Sequence, residues 1–349
     1  MAKKQITIQD IAKAADVSKT TVSRYLNGKF EYMSEETRKR ISDTIEETGY
    51  RPNRMANSLK TNQTGLIGII MSNVMSSQTP MLLGSICDIC AQYGKKVIVV
   101  NSEKNPEKER DLVYDLLAQR VDGLIVLSGY NYDFYRNLDQ EELPVVIADR
   151  VPGNSDMDSV AINHIEGTKK VINHLINQGY EQIVLLKQPH KNPNNTPRLR
   201  EKSAFDTCRE RFGDDTHFSV FSIDLRKINE NACEAFSELA NILIECHEMS
   251  KKTPTAVFVA EASIMNAVAC NYYRAELKIS KSFTIAGYCE WNMACQITPQ
   301  ISTIEQPLAK LGQLATEKLI NRIDQRRCNQ GDKIKESSLL NCKINLSEL

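Results

Sequence analysis

The stretch "VSKTTVSRYLNGK", residues 17–29, gathers hydrogen-bonding side chains on one side of a short helical pattern. On a helix at ~100° per residue, Val22 and Leu26 fall together with Tyr25 at their flank, while Thr20, Arg24 and Asn27 lie opposite. Ser23 sits at the edge of that polar face and Lys19 stands in the first turn. Most polar helix faces are simply solvated. This one follows another helical pattern across a tight turn, its outward groups all hydrogen-bond, and the segment around it is basic. Together these features describe a helix-turn-helix, whose second helix brings its N-terminal residues to base edges in the major groove.

Other residues invite a chemical interpretation and fall short of one. Cys87 and Cys90 form a C-x-x-C within "GSICDICAQYG", but no second pair follows at zinc spacing. Two small buried hydrophobes one turn apart on a helix are therefore expected. The ten cysteines follow no disulfide framework and the five histidines are dispersed, so neither a metal site nor a cofactor is expected. His164 and Glu166 resemble an acid/base pair, yet two residues apart on a turn they fit a helix start better. The chain has no G-x-G-x-x-G after a strand, no G-x-x-x-x-G-K-[ST] and no G-x-S-x-G. An enzyme is not expected.

At 349 residues the chain is long enough for two or three compact units. Formal net charge is +0, but residues 1–60 hold 12 Lys and Arg against 8 Asp and Glu, leaving 32 against 36 from totals of 44 each. A basic head on an acidic body suits a segment made for a polyanion. No apolar run approaches the ~18 residues of a membrane span. The start "MAKKQITIQD" has no apolar h-region, so a cytoplasmic protein is expected.

Residues 6–50 predict three short helices. Thr7 caps the first, which packs with Ile8, Ile11, Ala12 and Ala15; Ser18 caps the second, which stops at Asn27-Gly28. Ser34 caps the third, with Glu35 and Glu36 at its positive end and Gly49 as its stop. A polar stretch, "RPNRMANSLKTNQT", follows, with the composition of a linker and the periodicity of a short helix. From Gly65 onward, β-branched runs such as "GLIGIIM", "KVIVV", "PVVIAD", "QIVLLK" and "AVFVA" alternate with amphipathic segments. That pattern predicts parallel strands covered on both faces, hence doubly wound α/β lobes with a ligand cleft between them.

At this point the sequence resembles the LacI/GalR transcriptional regulators. The matching segments are "TIQDIAKAADVSKTTVSRYLNG", "SEETRKRI", "GYRPNRMANSLKT" and "GLIGII", then more loosely "DGLIVLSG", "HIEGTKKVINHLINQGYEQIVLL", "RLRE", "TAVFVA" and "TIAGYCE". The likeness spans essentially the whole chain. It implies a helix-turn-helix head at 1–52, a hinge helix at 53–63, and a periplasmic-binding-protein-like core at 64–349, assembled as a dimer or higher. Lobe one is expected at about 64–163 plus 307–325, and lobe two at about 164–306 plus 326–349.

By position, Lys19 and Thr20 match the family's specificity-reading pair, and Arg24 its base-contacting arginine. The chemistry agrees, since Arg can fork onto guanine and Thr can bond a base edge or touch a thymine methyl. Thr7, Ser18, Thr21, Ser23 and Asn27 are expected at phosphates. Asp16 stands where the family has Gly, a tolerable exchange because Asp accepts a left-handed backbone. The "GKFEYM" loop is one residue longer than the commonest family form. In the hinge, Leu59 matches a leucine that wedges into the minor groove, with Asn53, Arg54, Ala56 and Asn57 on the same short helix.

The resemblance further implies an effector cleft lined by Ser72, Asn73, Asp149, Arg150, Arg200, Leu225, Glu261 and Cys289. Arg200 matches an arginine that grips ligand oxygens, against a plain alternative of a surface salt bridge to Glu201 or Glu210. Glu261 and Cys289 replace an Asn and an Asp of sugar-binding members, and Arg150, Arg198 and Arg200 lie near. A sugar acid is therefore expected over a neutral sugar, in keeping with the likeness of "FEYMSEETRKRI" to regulators of ketodeoxygluconate use. The expected protein is a repressor of operator DNA, a pseudo-palindrome, controlled by that effector. The alternatives are a neutral sugar or other metabolite acting as co-repressor and, more remotely, a sugar receptor or an α/β enzyme.

Overall fold

The computed structural model describes residues 6–51, 63–127, 131–141, 143–149, 156–189, 196–225, 227–272, 278–290, 301–328 and 334–347. The chain divides into two units, Met1–Thr64 and Gly65–Leu349. In the first, helix α1 (Ile8–Ala14) opens on a capping box: the Thr7 side chain accepts from the Asp10 amide, and the Asp10 carboxylate accepts from the Thr7 amide at 2.8 Å. Helix α2 (Lys19–Leu26) opens on Ser18, whose Oγ accepts from the Thr21 amide at 3.1 Å. Helix α3 (Glu35–Thr48) opens on Ser34 and closes on Gly49 at φ 62°. Between α1 and α2, Asp16 takes φ 51°, the left-handed conformation that the exchange for glycine requires. Ile11, Ala12, Ala15, Val22, Ile41 and Tyr50 form the small core of this unit. The loop after α2 contains one turn of 3-10 helix, Phe30–Tyr32.

The second unit holds strands β1 (Leu66–Met71), β2 (Lys96–Asn101), β3 (Gly123–Val126), β4 (Val145–Ala148) and β5 (Asp158–Ile162). Strands β6 (Gln182–Lys187), β7 (Phe218–Ser222), β8 (Thr255–Val259), β9 (Phe283–Cys289) and β10 (Ser302–Glu305) follow, then β11 (Ser337–Leu340) and β12 (Lys343–Asn345). They build two sheets, ordered β11-β5-β4-β3-β1-β2 and β12-β10-β9-β8-β6-β7. Every pairing is parallel except β12 on β10. The doubly wound expectation holds.

Helices cover both faces of each sheet. On the first, α4 (Thr79–Gln92) lies on one face, and α5 (Pro106–Ala118) and α6 (Tyr132–Gln140) lie on the other. On the second, α7 (His164–Asn177) and α8 (Thr196–Phe212) cover one face, and α9 (Lys227–Met249) and α10 (Ala262–Tyr272) the other. Helix α11 (Leu308–Arg327) returns to the first lobe beside α4. Their approach is close: a Cβ on Gly312 would lie 2.8 Å from the Leu82 carbonyl oxygen.

Two expectations need correction. The tail does not belong wholly to lobe two, because β11 pairs with β5 in the first sheet and only β12 joins the second. A buried pair holds it there. Asp158, at the start of β5, accepts from the Arg322 guanidinium and from the Glu336 amide at 2.9 Å. Nor are both cysteines of the C-x-x-C buried: Cys90 faces the core, while Cys87 is exposed on the same helix.

Candidate functional site

Helix α2 separates its two jobs by face. Val22 is fully buried against α1 and α3, while Lys19, Thr20 and Arg24 are exposed. Ser18 and Asn27 are exposed as well, and Thr21 and Ser23 half-buried. Several of these hydroxyls also hold the helix ends. Thr7 Oγ1 donates to Asp10 at 2.7 Å, the Ser18 and Thr21 hydroxyls share a bond of 2.8 Å, and Asn27 Nδ2 donates to the Ser23 carbonyl at 2.7 Å. The start of α2 thus presents a positive helix end with Lys19 beside it, a natural seat for an anion. The hinge residues Asn53, Arg54, Ala56, Asn57 and Leu59 lie outside the described residues, as does Arg150.

In the second unit the expected effector residues gather at the carboxyl ends of strands, where open α/β sheets place their ligands. Ser72 and Asn73 follow β1, Asp149 follows β4, Glu261 follows β8, and Cys289 ends β9. Asn73 is exposed and its Oδ1 accepts from the Met75 amide at 3.0 Å. The Glu261 carboxylate accepts from the Gln188 amide at 2.8 Å, joining the ends of β8 and β6. Leu225 packs against the apolar cluster on the α9/α10 side.

Arg200 is the centre of the arrangement and is only 3% exposed. Its Nη1 donates to the Ala260 carbonyl at 2.7 Å and its Nη2 to Gln306 Oε1 at 2.8 Å, while the guanidinium lies 3.6 Å over the Tyr288 ring. The surface salt bridge is ruled out, since Glu201 pairs with Lys187 and Glu210 with Lys169. The Tyr288 hydroxyl donates to the His164 carbonyl at 3.0 Å.

Three residues around Arg200 were not foreseen. His164 does begin a helix, but its ring is buried between Arg200 and Asp149 rather than paired with exposed Glu166. Burial, then the Arg200 charge, push its pKa down to about 4, with Asp149 acting in the opposite direction. Gln306 supplies the acceptor for Arg200 where the chain crosses back to lobe one. Glu290, rather than Cys289, feels the Arg200 charge. The strand's two-residue alternation turns Tyr288 toward α7 and α8 and Cys289 into the opposite core, where its thiol donates to the Glu290 carbonyl at 3.5 Å. Glu290 is 4% exposed, and burial raises the pKa of its carboxyl. Ser77 and Gln78 of the first lobe, and the Arg200 charge, act to lower it; neither side chain reaches a carboxylate oxygen with ordinary hydrogen-bond geometry.

Residues 7–53 match the family model of "Bacterial regulatory proteins, lacI family", and residues 172–343 that of a "Periplasmic binding protein-like domain". The HTH-type transcriptional repressor PurR of Photobacterium profundum is 31% identical over 327 residues, 91% of this chain and 92% of that protein. The chain belongs to the LacI family of bacterial regulatory proteins. The HTH-type transcriptional regulator KdgR of Bacillus subtilis is 29% identical over 320 residues, 91% of either chain. Among solved structures, a Lac repressor dimer bound to operator and the anti-inducer ONPF is similar at a TM-score of 0.77 and 26% identity, covering 99% of this chain and 98% of that one.

This LacI-family protein is a DNA-binding transcriptional regulator. The relatives named above are transcriptional regulators. Among the described residues no helix is long and apolar enough to cross a membrane, and no group of three or more His, Cys, Asp and Glu is placed to hold a metal ion.

Proposed function

We propose that this regulator is a repressor whose homodimer, or higher assembly, sets two α2 helices on a pseudo-palindromic operator, with half-sites about one helical turn apart. Lys19, Thr20 and Arg24 read base edges; Thr7, Ser18, Thr21, Ser23 and Asn27 fix position on phosphates; the 53–63 hinge enters the minor groove through Leu59. The observation that carries this reading is the division of α2, with Val22 fully buried and Lys19, Thr20 and Arg24 exposed. The likeness to a Lac repressor dimer on operator supports the dimeric arrangement. Its work is cytoplasmic and needs neither cofactor nor catalysis.

The cleft around Arg200 takes a small sugar or sugar acid, which changes the relation of the lobes and so biases the hinge. Effector and operator then act on one two-state element. Glu290 favours a second reading, a neutral sugar, because its buried carboxyl supplies an acceptor for sugar hydroxyls that Cys289 lacks. Retardation of a pseudo-palindrome pool, with and without sugars, tests the whole. A chain that retards none of it at moderate salt is not this repressor. Calorimetry separates the effectors: tight binding of a neutral hexose, and of no hexonate or uronate, selects the second reading.

A further inference from the structure

The turn between α2 and α3 carries two aromatic rings that the core does not consume: Phe30 is 36% exposed and Tyr32 60%. Phe30 is nevertheless held from both helices. Its ring meets that of Tyr25 edge-on, with centroids 5.7 Å apart, and the Arg38 guanidinium of α3 lies 3.9 Å over it. The backbone closes the same turn, the Lys29 amide donating to the Arg24 carbonyl at 3.0 Å and the Met33 amide to the Phe30 carbonyl at 3.2 Å. Held in this way, the turn brings the Tyr32 ring to the Arg24 guanidinium, 5.0 Å from its centroid.

We infer that Tyr32 is a positioning residue for Arg24, so that the turn at 29–33 sets how sharply α2 discriminates between base pairs. The inference rests on the proposed role of Arg24 at a base edge. An arginine that forks onto guanine gives up rotamer freedom; a ring that already restricts the guanidinium reduces that loss and favours the correct base over phosphate contacts made in other rotamers. Arg38 and Phe30 supply the rigidity. Tyr32 supplies the contact.

The test uses the full-length chain and a duplex selected with it from a random pool, beside the same duplex changed at the base pair that Arg24 reads. The readout is the ratio of the two Kd values. A cation–π contact at an exposed site corresponds to about two- to five-fold per head, so Tyr32→Ala should lower the ratio by about that factor for each head engaged. Tyr32→Phe should keep the ratio, and Arg24→Ala with Tyr32→Ala should match Arg24→Ala alone. With Tyr32 exposed, hydrogen exchange in α1–α3 should be unchanged, separating positioning from folding. If Arg24→Ala collapses the ratio while Tyr32→Ala leaves it unchanged or raises it, the inference is overturned and the role of Arg24 stands. Tyr32→Phe losing as much as Tyr32→Ala also overturns it, by showing that the hydroxyl acts rather than the ring. A ratio unmoved by Arg24→Ala removes the role of Arg24 itself, and the inference with it.

Discussion

His164 Nε2 lies 3.8 Å from Asp149 Oδ1, joining the helix that opens the second lobe to the end of β4 in the first. The other ring nitrogen, Nδ1, lies 3.3 Å from Arg200 Nη2. A guanidinium only donates, so Nδ1 accepts and the neutral ring carries its proton on Nε2, toward Asp149. At 3.8 Å that contact is an attraction rather than a hydrogen bond of ordinary length.

The buried ring makes stability depend on pH. Folding holds the His164 pKa at about 4 against an ordinary value of 6.5, so the unfolded chain binds its proton first as pH falls. Above pH 6.5 the group contributes no slope; between 6.5 and about 4 stability declines. From pH 7 to pH 5 the loss is about 2 kcal/mol. Urea titrations at both values should show it, and His164→Gln should remove most of the difference.

Arg200→Ala would leave the Ala260 carbonyl and Gln306 Oε1 without their donor in a buried site. The expected cost is about 2–4 kcal/mol of core stability, read by chemical denaturation. Arg200→Lys should recover only part of it, since one ammonium cannot reproduce the two-armed geometry. Full stability in Arg200→Ala would mean that the arginine is held for ligand alone.

At φ 51°, Asp16 occupies a conformation that glycine adopts freely and β-branched residues resist. Asp16→Val should therefore destabilise the head by about 1–2 kcal/mol, while Asp16→Gly should be neutral or slightly stabilising. Hydrogen exchange of α1 and α2 amides in the full chain would report both.

Much of the fold is visible in the sequence because its signals are local. Thr7, Ser18 and Ser34 announce three helix starts in the head, and each caps as expected. The β-branched runs of β1, β4, β6 and β8 are buried strands because hydrophobicity alone requires it. The last strands are another matter. Short, half-exposed β11 and β12 carry no such run, and β11 is set beside β5 by contacts far apart in sequence, such as the Glu336 amide on Asp158, 178 residues away.

The surroundings of Arg200 were legible in the sequence only in part, for a related reason. Strand ends can be counted from sequence, but which of Cys289 and Glu290 turns away from the α9/α10 core depends on strand alternation at one residue. His164 looked inert beside Glu166 because its true partners, Asp149 and Arg200, are distant in sequence. The turn at 29–33 showed an extra residue but not its purpose, since the contact of Tyr32 with Arg24 exists only once Phe30 is held by α2 and α3.

The central claim is that the polar face of α2 reads sequence rather than merely binding a polyanion. Its most direct test is operator affinity across a full set of single base-pair substitutions, measured for the wild-type chain and for Arg24→Ala. The account predicts a loss of about 1–3 kcal/mol on the preferred operator, with discrimination flattened at one symmetric position and retained elsewhere. A uniform weakening at every substitution, with all base preferences intact, would show that Arg24 touches only phosphate and would contradict it.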